Sequence, residues 1–230
     1  MQNDKFMNVL SLTAVLIVGV AAIAMGLLAV QAGFGAPLLQ LASDFLSLDS
    51  VHIWWYVTRA AGLMGYLLFW LSTVLGFAVS SKVFDSFLER MFTYDFHEHL
   101  SLLSLGFIVL HVLVLLIEKV QPLSLLEILV PFVSTYRPFW TGVGIIAFYL
   151  TVLVTVTFYI RSWISMKTFR VIHYLSVAAY FGSLFHSLYA GSDSMLTWIQ
   201  WIYGGTSLMT VFFMMYWIIL LWQRRLEKTP

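Results

Sequence analysis

Long apolar stretches recur along this 230-residue chain, separated by short segments that hold most of the polar residues. A helix needs roughly 20 apolar residues to cross a hydrocarbon core of about 30 Å, so each stretch that reaches this length predicts a transmembrane helix. The six stretches that qualify are Val9–Val30, Trp54–Ser80, Phe96–Ile117, Trp140–Ile160, Val171–Tyr189 and Met195–Leu221. The shorter apolar segment Leu123–Phe132 predicts an interfacial or re-entrant piece. The pattern therefore predicts a six-helix, all-α integral membrane protein with one transmembrane domain, residues 1–230.

Composition supports lipid as the solvent. Hydrophobic residues make up 61% of the chain and charged residues 10%, whereas soluble domains have about 45–50% and about 25%. The first apolar run, Val9–Val30, is longer than the stretch of about 7–15 residues in a secretory signal, so we interpret it as a retained span. The chain has no cysteine, which excludes disulfides, thiolate ligation and covalently attached c-type haem.

Lysine and arginine are distributed unequally between the two sides of the predicted bundle. Nine of the twelve lie on the side of both termini: Lys5, Lys82, Arg90, Arg161, Lys167, Arg170, Arg224, Arg225 and Lys228. Lys119 and Arg137 lie on the other side, and Arg59 lies inside the second predicted span. Positive residues concentrate on the cytoplasmic side, so we expect a multi-pass protein of the cell membrane with both termini in the cytoplasm.

Four histidines fall into pairs at two depths. His97 and His111 are 14 residues apart on the third predicted span, and His173 and His186 are 13 apart on the fifth. At a rise of 1.5 Å per residue each pair covers about 20 Å of helix. Both spans start on the cytoplasmic side, so His97 faces His173 at the inner level and His111 faces His186 at the outer level. Bis-histidine ligation of two b-type haems, stacked across the bundle, needs this arrangement.

Helical phase selects among the histidines. A 14-residue step returns to within about 40° of the starting face, whereas His99 points about 200° away from His97, which favours His97 as the ligand. The 13-residue step leaves His186 about 140° from His173 on an ideal helix. Either the helix departs from ideal winding or the two haems attach at different angles, and the sequence leaves both open. The roles of His52 and His99 also stay open.

An arginine near the outer end of the second span needs a partner. Arg59 is predicted to bind an outer haem propionate with its planar fork, the alternative being that it extends to the lipid headgroups. Glycines on the second and fourth spans are expected to allow close approach of a helix or a porphyrin. These are Gly62, Gly65, Gly76, Gly142 and Gly144.

Six short motifs together resemble the ferric reductase-like transmembrane domain, a superfamily that includes NADPH oxidases and ferric-chelate reductases. They are Thr58–Gly62, Phe96–His97, Leu110–His111, Arg170–His173, Phe185–His186 and Leu188–Asp193. The resemblance covers roughly residues 50–220, with the histidine spacing as its most specific part. It implies a core of two b haems that moves electrons across the membrane.

Members of that superfamily that oxidise NADPH carry a further flavin and nicotinamide domain. This chain has no G-x-G-x-x-G nucleotide signature, and Pro230 follows soon after the last predicted span. We therefore expect an oxidoreductase component that takes electrons from a flavoprotein, a soluble flavin or quinol and passes them to an acceptor on the outer side, with no side chain acting as nucleophile or general base. The alternatives are a non-catalytic electron-carrying subunit of a larger redox complex and a haem-free scaffold or transporter.

Overall fold

The computed structural model describes residues 52–85 and 89–227, and every regular element in that part of the chain is a helix. In chain order they are α1 (Ile53–Ser81), α2 (Arg90–Val114), α3 (Leu125–Leu129), α4 (Pro138–Tyr159), α5 (Met166–His173), α6 (Leu175–Ala190) and α7 (Thr197–Leu226). Five segments are long and apolar enough to cross a membrane: α1, α2, α4, α5 with α6, and α7. The predicted span Val9–Val30 lies outside the described residues, so the sixth span stays a prediction.

The helices extend past the predicted spans at polar ends. The second described span begins at Arg90 where hydropathy predicted Phe96, and the last continues to Leu226 where hydropathy predicted Leu221. Hydropathy marks where the hydrocarbon core ends, but a helix can continue as long as its backbone hydrogen bonds do. Both extensions contain charged residues, such as Arg90 and Arg225, which are costly inside a hydrocarbon core.

Two antiparallel helix pairs make up the bundle, α1 with α2 and α4 with α6, while α7 packs along α1. The first pair is close because Gly65 has no side chain: a Cβ there would lie 3.3 Å from the backbone nitrogen of Ile108. The hydroxyl of Ser104 donates to the Gly65 carbonyl over 2.9 Å. Small residues and interhelical hydrogen bonds stabilise such contacts in lipid, and α1 and α2 are accordingly packed closely together.

The centre of the bundle contains a buried aromatic cluster with its own hydrogen bonds. Tyr66 of α1 stacks on Tyr180 of α6 with ring centres 6.1 Å apart, and Tyr203 of α7 meets the Tyr66 ring edge-on. The Tyr66 hydroxyl lies 2.6 Å from Thr206 Oγ1 and 3.3 Å from the Tyr180 hydroxyl. Buried hydroxyls need such partners, so this cluster fixes α1, α6 and α7 relative to one another.

The outward faces of the helices are apolar. On α4 the exposed large side chains are Phe139, Ile146, Tyr149, Leu153 and Val156, which follow one stripe of the helix. An apolar surface of this size would be an aggregation hazard in water. It is the normal surface of a membrane helix, and lipid is therefore a partner of the fold.

The predicted interfacial or re-entrant segment, Leu123–Phe132, contains the short helix α3. Ser124 and Glu127 form a capping box that satisfies the first backbone N–H groups of this helix. The Tyr149 hydroxyl of α4 donates to the Leu129 carbonyl at its other end, and the Phe132 ring lies against Gly142. These contacts hold an apolar hairpin against α4.

Candidate haem sites

The structure brings the four predicted ligands together as two facing pairs. The ring centres of His97 on α2 and His173 on α5 are 6.2 Å apart, with their planes 78° from parallel. Those of His111 on α2 and His186 on α6 are 6.5 Å apart, with planes 72° from parallel. The pairs lie at opposite ends of the same inter-helix space. We call them the His97–His173 level and the His111–His186 level.

Hydrogen bonds fix both imidazoles of the His111–His186 level. His111 Nδ1 donates to the backbone carbonyl of Thr58 on α1 over 2.8 Å, and Thr58 Oγ1 lies 3.0 Å from the same nitrogen. The Thr58 hydroxyl also donates to the His111 carbonyl over 3.0 Å. On the other side, His186 Nδ1 donates to the Trp140 carbonyl over 2.9 Å. Because each Nδ1 carries the proton, each Nε2 lone pair is free for a metal.

The His97–His173 level is fixed on one side only. His97 Nδ1 donates to the Ser72 carbonyl over 2.8 Å, with Ser72 Oγ at 3.1 Å. Ser72 Oγ lies 2.6 Å from Ser101 Oγ, whose proton goes to the His97 carbonyl over 2.7 Å. His173 Nδ1 is buried and has no hydrogen-bond partner among residues 52–85 and 89–227. The two levels therefore differ in how their ligands are held.

Three glycines make room for the histidine rings. A Cβ on Gly144 would lie 2.4 Å from His186 Nδ1, one on Gly62 would lie 3.0 Å from His111 Nδ1, and one on Gly76 would lie 3.3 Å from His97 Cε1. Real Cβ atoms do not approach neighbours at the first of these distances. In the structure, Gly62, Gly76 and Gly144 therefore allow the close approach of the three histidine rings.

A local break in the helix lies within the 13-residue step between His173 and His186. The chain leaves regular α-helix at Tyr174, directly after His173, and the Val177 backbone N–H donates to the Tyr174 carbonyl three residues earlier. Bonds of this i→i+3 type wind the chain more tightly than an α-helix does. The extra rotation reduces the offset of about 140° expected for ideal winding. Of the two explanations that the sequence left open, the structure contains the first.

A family model described as ferric reductase like transmembrane component matches residues 61–184, more than half of the chain. The chain belongs to this family. The resemblance drawn from the sequence motifs is thereby confirmed, and membership indicates a role in transmembrane electron transfer. The matched range includes His97, His111 and His173 and ends two residues before His186. No curated protein and no solved structure matched the chain.

The geometry of this ferric reductase-like domain fits haem iron at both levels. An imidazole nitrogen lies about 2 Å from a first-row metal and about 1.1 Å from its own ring centre, so a metal between two facing rings places the ring centres about 6 Å apart. The observed separations are 6.2 and 6.5 Å. Histidine is an established haem ligand, so each facing pair of imidazoles could hold one haem.

Space for a group larger than an ion adjoins both levels. His111 and His186 line a cavity of about 210 Å³, and His97 and His173 line one of about 90 Å³. One water molecule needs only about 10–15 Å³ of such space. Phe69 and Thr151 line both cavities, so the two spaces approach each other in the middle of the ferric reductase-like bundle.

Arg59 is paired with a protein carboxylate at the mouth of the larger cavity. Its Nε donates to Asp193 Oδ2 over 2.7 Å, and its Nη2 bonds the other carboxylate oxygen. The two side chains are 29% and 27% exposed, and the guanidinium also lies over the Trp55 ring. Arg59 lines the same cavity as His111 and His186. The structure therefore gives Arg59 a partner that the sequence did not predict, and the propionate contact stays a prediction.

The other two described histidines lie away from these cavities. His99 is exposed, and its Nδ1 donates to the Asp95 carbonyl over 2.7 Å. His52 is exposed at the start of α1. His99 therefore belongs to the helix surface, which agrees with the choice of His97 by helical phase.

Sequence reasoning missed Thr58 and Ser72 as partners of the histidines. A signal was present, because Thr58 and Ser72 are 14 residues apart, as are Gly62 and Gly76. His97 and His111 on the neighbouring helix have the same spacing. In two antiparallel helices, equal spacings bring each hydroxyl and each glycine to one histidine.

Proposed function

We propose that this ferric reductase-like protein is a dihaem b-type cytochrome that moves single electrons across the membrane. In this proposal His97 and His173 bind one haem and His111 and His186 the other. The observation that carries it is the pair of facing imidazoles at each of two depths, with ring centres 6.2 and 6.5 Å apart. Family membership supports it independently.

The side chains bind the haems and control their surroundings. When bound, each haem supplies a one-electron Fe(III)/Fe(II) couple whose potential depends on the ligands, their hydrogen bonds and burial. The protein holds His97, His111 and His186 in one tautomer through their Nδ1–H donors. It seats the rings beside glycines and encloses them among apolar helices. Arg59, which is paired with Asp193, lines the cavity at the His111–His186 level, and its planar fork would suit a haem carboxylate there.

The direction of transfer is proposed from charge. Half of the ten basic residues of the described chain lie at or near the helix ends on the side of His97 and His173: Lys82, Arg90, Arg161, Lys167 and Arg170. This supports a cytoplasmic location for the His97–His173 level. Electrons would enter there from a separate flavoprotein or from quinol. They would leave at the His111–His186 level to an acceptor on the outer side.

Electron transfer into sealed vesicles tests the proposal. Haem-loaded protein is reconstituted into liposomes that enclose ferricyanide, and dithionite is added outside. We expect the trapped ferricyanide to be reduced much faster than in protein-free liposomes. The His99→Ala variant, which alters a surface histidine, should retain this rate, whereas His111→Ala should lose most of it. Two reducible haems with no reduction of the trapped ferricyanide would contradict transmembrane transfer.

A second assay separates a small-molecule reductase from an electron-carrying subunit. The purified protein is reduced and then mixed with ferric chelate, oxygen or a quinone. Rapid reoxidation by one of them supports direct reaction at the outer face. Slow reoxidation by all three supports the alternative, in which the acceptor is a partner enzyme.

A further inference from the structure

Helix α1 carries the same hydrogen-bonding unit twice. Thr58 with Gly62 forms the first unit, and Ser72 with Gly76 forms the second, 14 residues later. In each, the hydroxyl residue accepts a histidine Nδ1–H at its backbone carbonyl over 2.8 Å, with the hydroxyl oxygen 3.0 or 3.1 Å from the same nitrogen. The hydroxyl also reaches the carbonyl of that histidine, directly from Thr58 and through Ser101 from Ser72. The α2 ligand of each level is therefore held alike.

The opposite side of the bundle lacks this symmetry. His186 Nδ1 donates to the Trp140 carbonyl over 2.9 Å. His173 Nδ1 is buried without a partner in the described part of the chain, and its ring packs against Phe169 with centres 5.4 Å apart. The chain also leaves regular α-helix at Tyr174, directly after His173. Both imidazoles are hydrogen-bonded at the His111–His186 level and one is at the His97–His173 level.

A hydrogen bond from Nδ1–H to a carbonyl makes the imidazole a more basic ligand. A more basic ligand favours ferric over ferrous iron, which lowers the reduction potential. Charge does not separate the two levels in this way. Lys167 and Arg170 are exposed on the helix of His173, but Glu98 directly follows His97, and Arg59 is paired with Asp193. The difference in hydrogen bonding therefore carries the inference.

Resting on the proposed dihaem function, we propose that the unpartnered Nδ1 of His173 makes the His97–His173 level the more easily reduced of the two. Thr58 and Ser72 act as positioning residues that set the potentials of their own levels. One hydrogen bond changes an equilibrium roughly two- to tenfold, which is about 18–59 mV for one electron. With both haems bound, an electron entering the chain would stay mainly at the His97–His173 level until an acceptor withdrew it through the other.

Potentiometric titration of the haem-loaded protein tests this inference, with the haem bands followed optically. We expect two waves, and the His186→Ala variant, which retains the His97–His173 level, should retain the wave at higher potential. The His97→Ala variant should retain the lower one. If the single haem of His186→Ala titrates at the lower potential, or if the two waves coincide, the inference is wrong.

Milder variants keep the test valid if the alanine variants do not fold. Thr58→Val keeps the backbone carbonyl and the side-chain size but removes the hydroxyl, so the lower wave should rise and the higher one stay in place. Ser72→Ala should move only the higher wave. A shift of the wrong wave overturns the inference. Two haems with reversed potentials leave the proposed function intact, whereas the absence of haem overturns both.

Discussion

The seat of His186 beside Gly144 can be tested by adding one methyl group. In Gly144→Ala the new Cβ would lie 2.4 Å from His186 Nδ1 and 2.6 Å from its Cγ. The ring has little freedom to retreat, since its Nδ1 is bound to the Trp140 carbonyl. The helix backbones cannot separate easily either, because α4 and α6 approach closely at Ala147 and Gly182. We therefore expect the imidazole to be displaced from the position that faces His111.

The size of the effect follows from the cost of overpacking. An extra methyl in a close-packed site costs about 1–3 kcal/mol. If that cost falls on the haem-bound geometry, haem affinity at the His111–His186 level drops roughly 5- to 150-fold. Replacing a helical glycine with alanine stabilises a helix by about 0.5–1 kcal/mol, but this gain is present with and without haem and does not offset the loss of affinity.

The other glycines provide a graded series and matched controls. A Cβ would come within 3.0 Å of a histidine ring at Gly62 and within 3.3 Å at Gly76, so Gly62→Ala should weaken haem binding less than Gly144→Ala, and Gly76→Ala least. At Gly106 and Gly204 a Cβ would meet nothing within 4 Å among the described residues. Gly106→Ala and Gly204→Ala should therefore bind haem as the parent chain does.

Haem titration into the haem-free proteins measures the series, with the intensity of the Soret band reporting occupancy. In Gly144→Ala, weaker binding at the His111–His186 level should reduce the number of tightly bound haems from two to one. Equal occupancy of Gly144→Ala and Gly106→Ala would refute the claim that this glycine seats a ligand. Loss in Gly106→Ala as well would show that any methyl group in these helices disturbs the fold.

Three further outcomes are expected. His186→Ala should lose one haem and keep the other, because His111 is then left without a facing imidazole. A pyridine haemochrome assay counts the haems. Backbone N–H bonds from the capping box and the loop lower the pKa of Glu127 from its ordinary 4.5 to about 2. A lowered carboxyl pKa stabilises the folded hairpin above about pH 4.5, and this stabilisation is lost as the pH falls towards 2, which hydrogen exchange of the hairpin should detect. Since the chain has no cysteine, Lys119→Cys should react with an impermeant maleimide outside intact cells, and Lys167→Cys only after lysis.

Each of these outcomes has its control. The His99→Ala variant should keep both haems, and two haems in His186→Ala would contradict the ligand assignment. Glu127→Gln should loosen the hairpin at neutral pH, and unchanged exchange in that variant would contradict the role of the carboxylate. Labelling of Lys167→Cys in intact cells would reverse the proposed orientation of the chain.

The sequence predicted the features that depend on one helix at a time. Apolar length predicted all five described spans, and residue spacing predicted which histidines face each other. Helical phase identified an angular offset between His173 and His186. It did not predict the tight turn at Tyr174, because no residue pattern in this segment marks it. The pairing of Arg59 with Asp193 joins residues 134 positions apart, and no periodicity links them. The partners of the histidines on α1 were accessible from the shared 14-residue spacing.

The most direct test of the account is the number of haems in the purified protein. A pyridine haemochrome assay gives haem per chain, and a reduced-minus-oxidised spectrum gives the spin state. Two b-type haems per chain with low-spin bands are predicted, because both facing histidine pairs offer bis-imidazole ligation. Protein produced with ample haem that purifies without any would contradict the dihaem account.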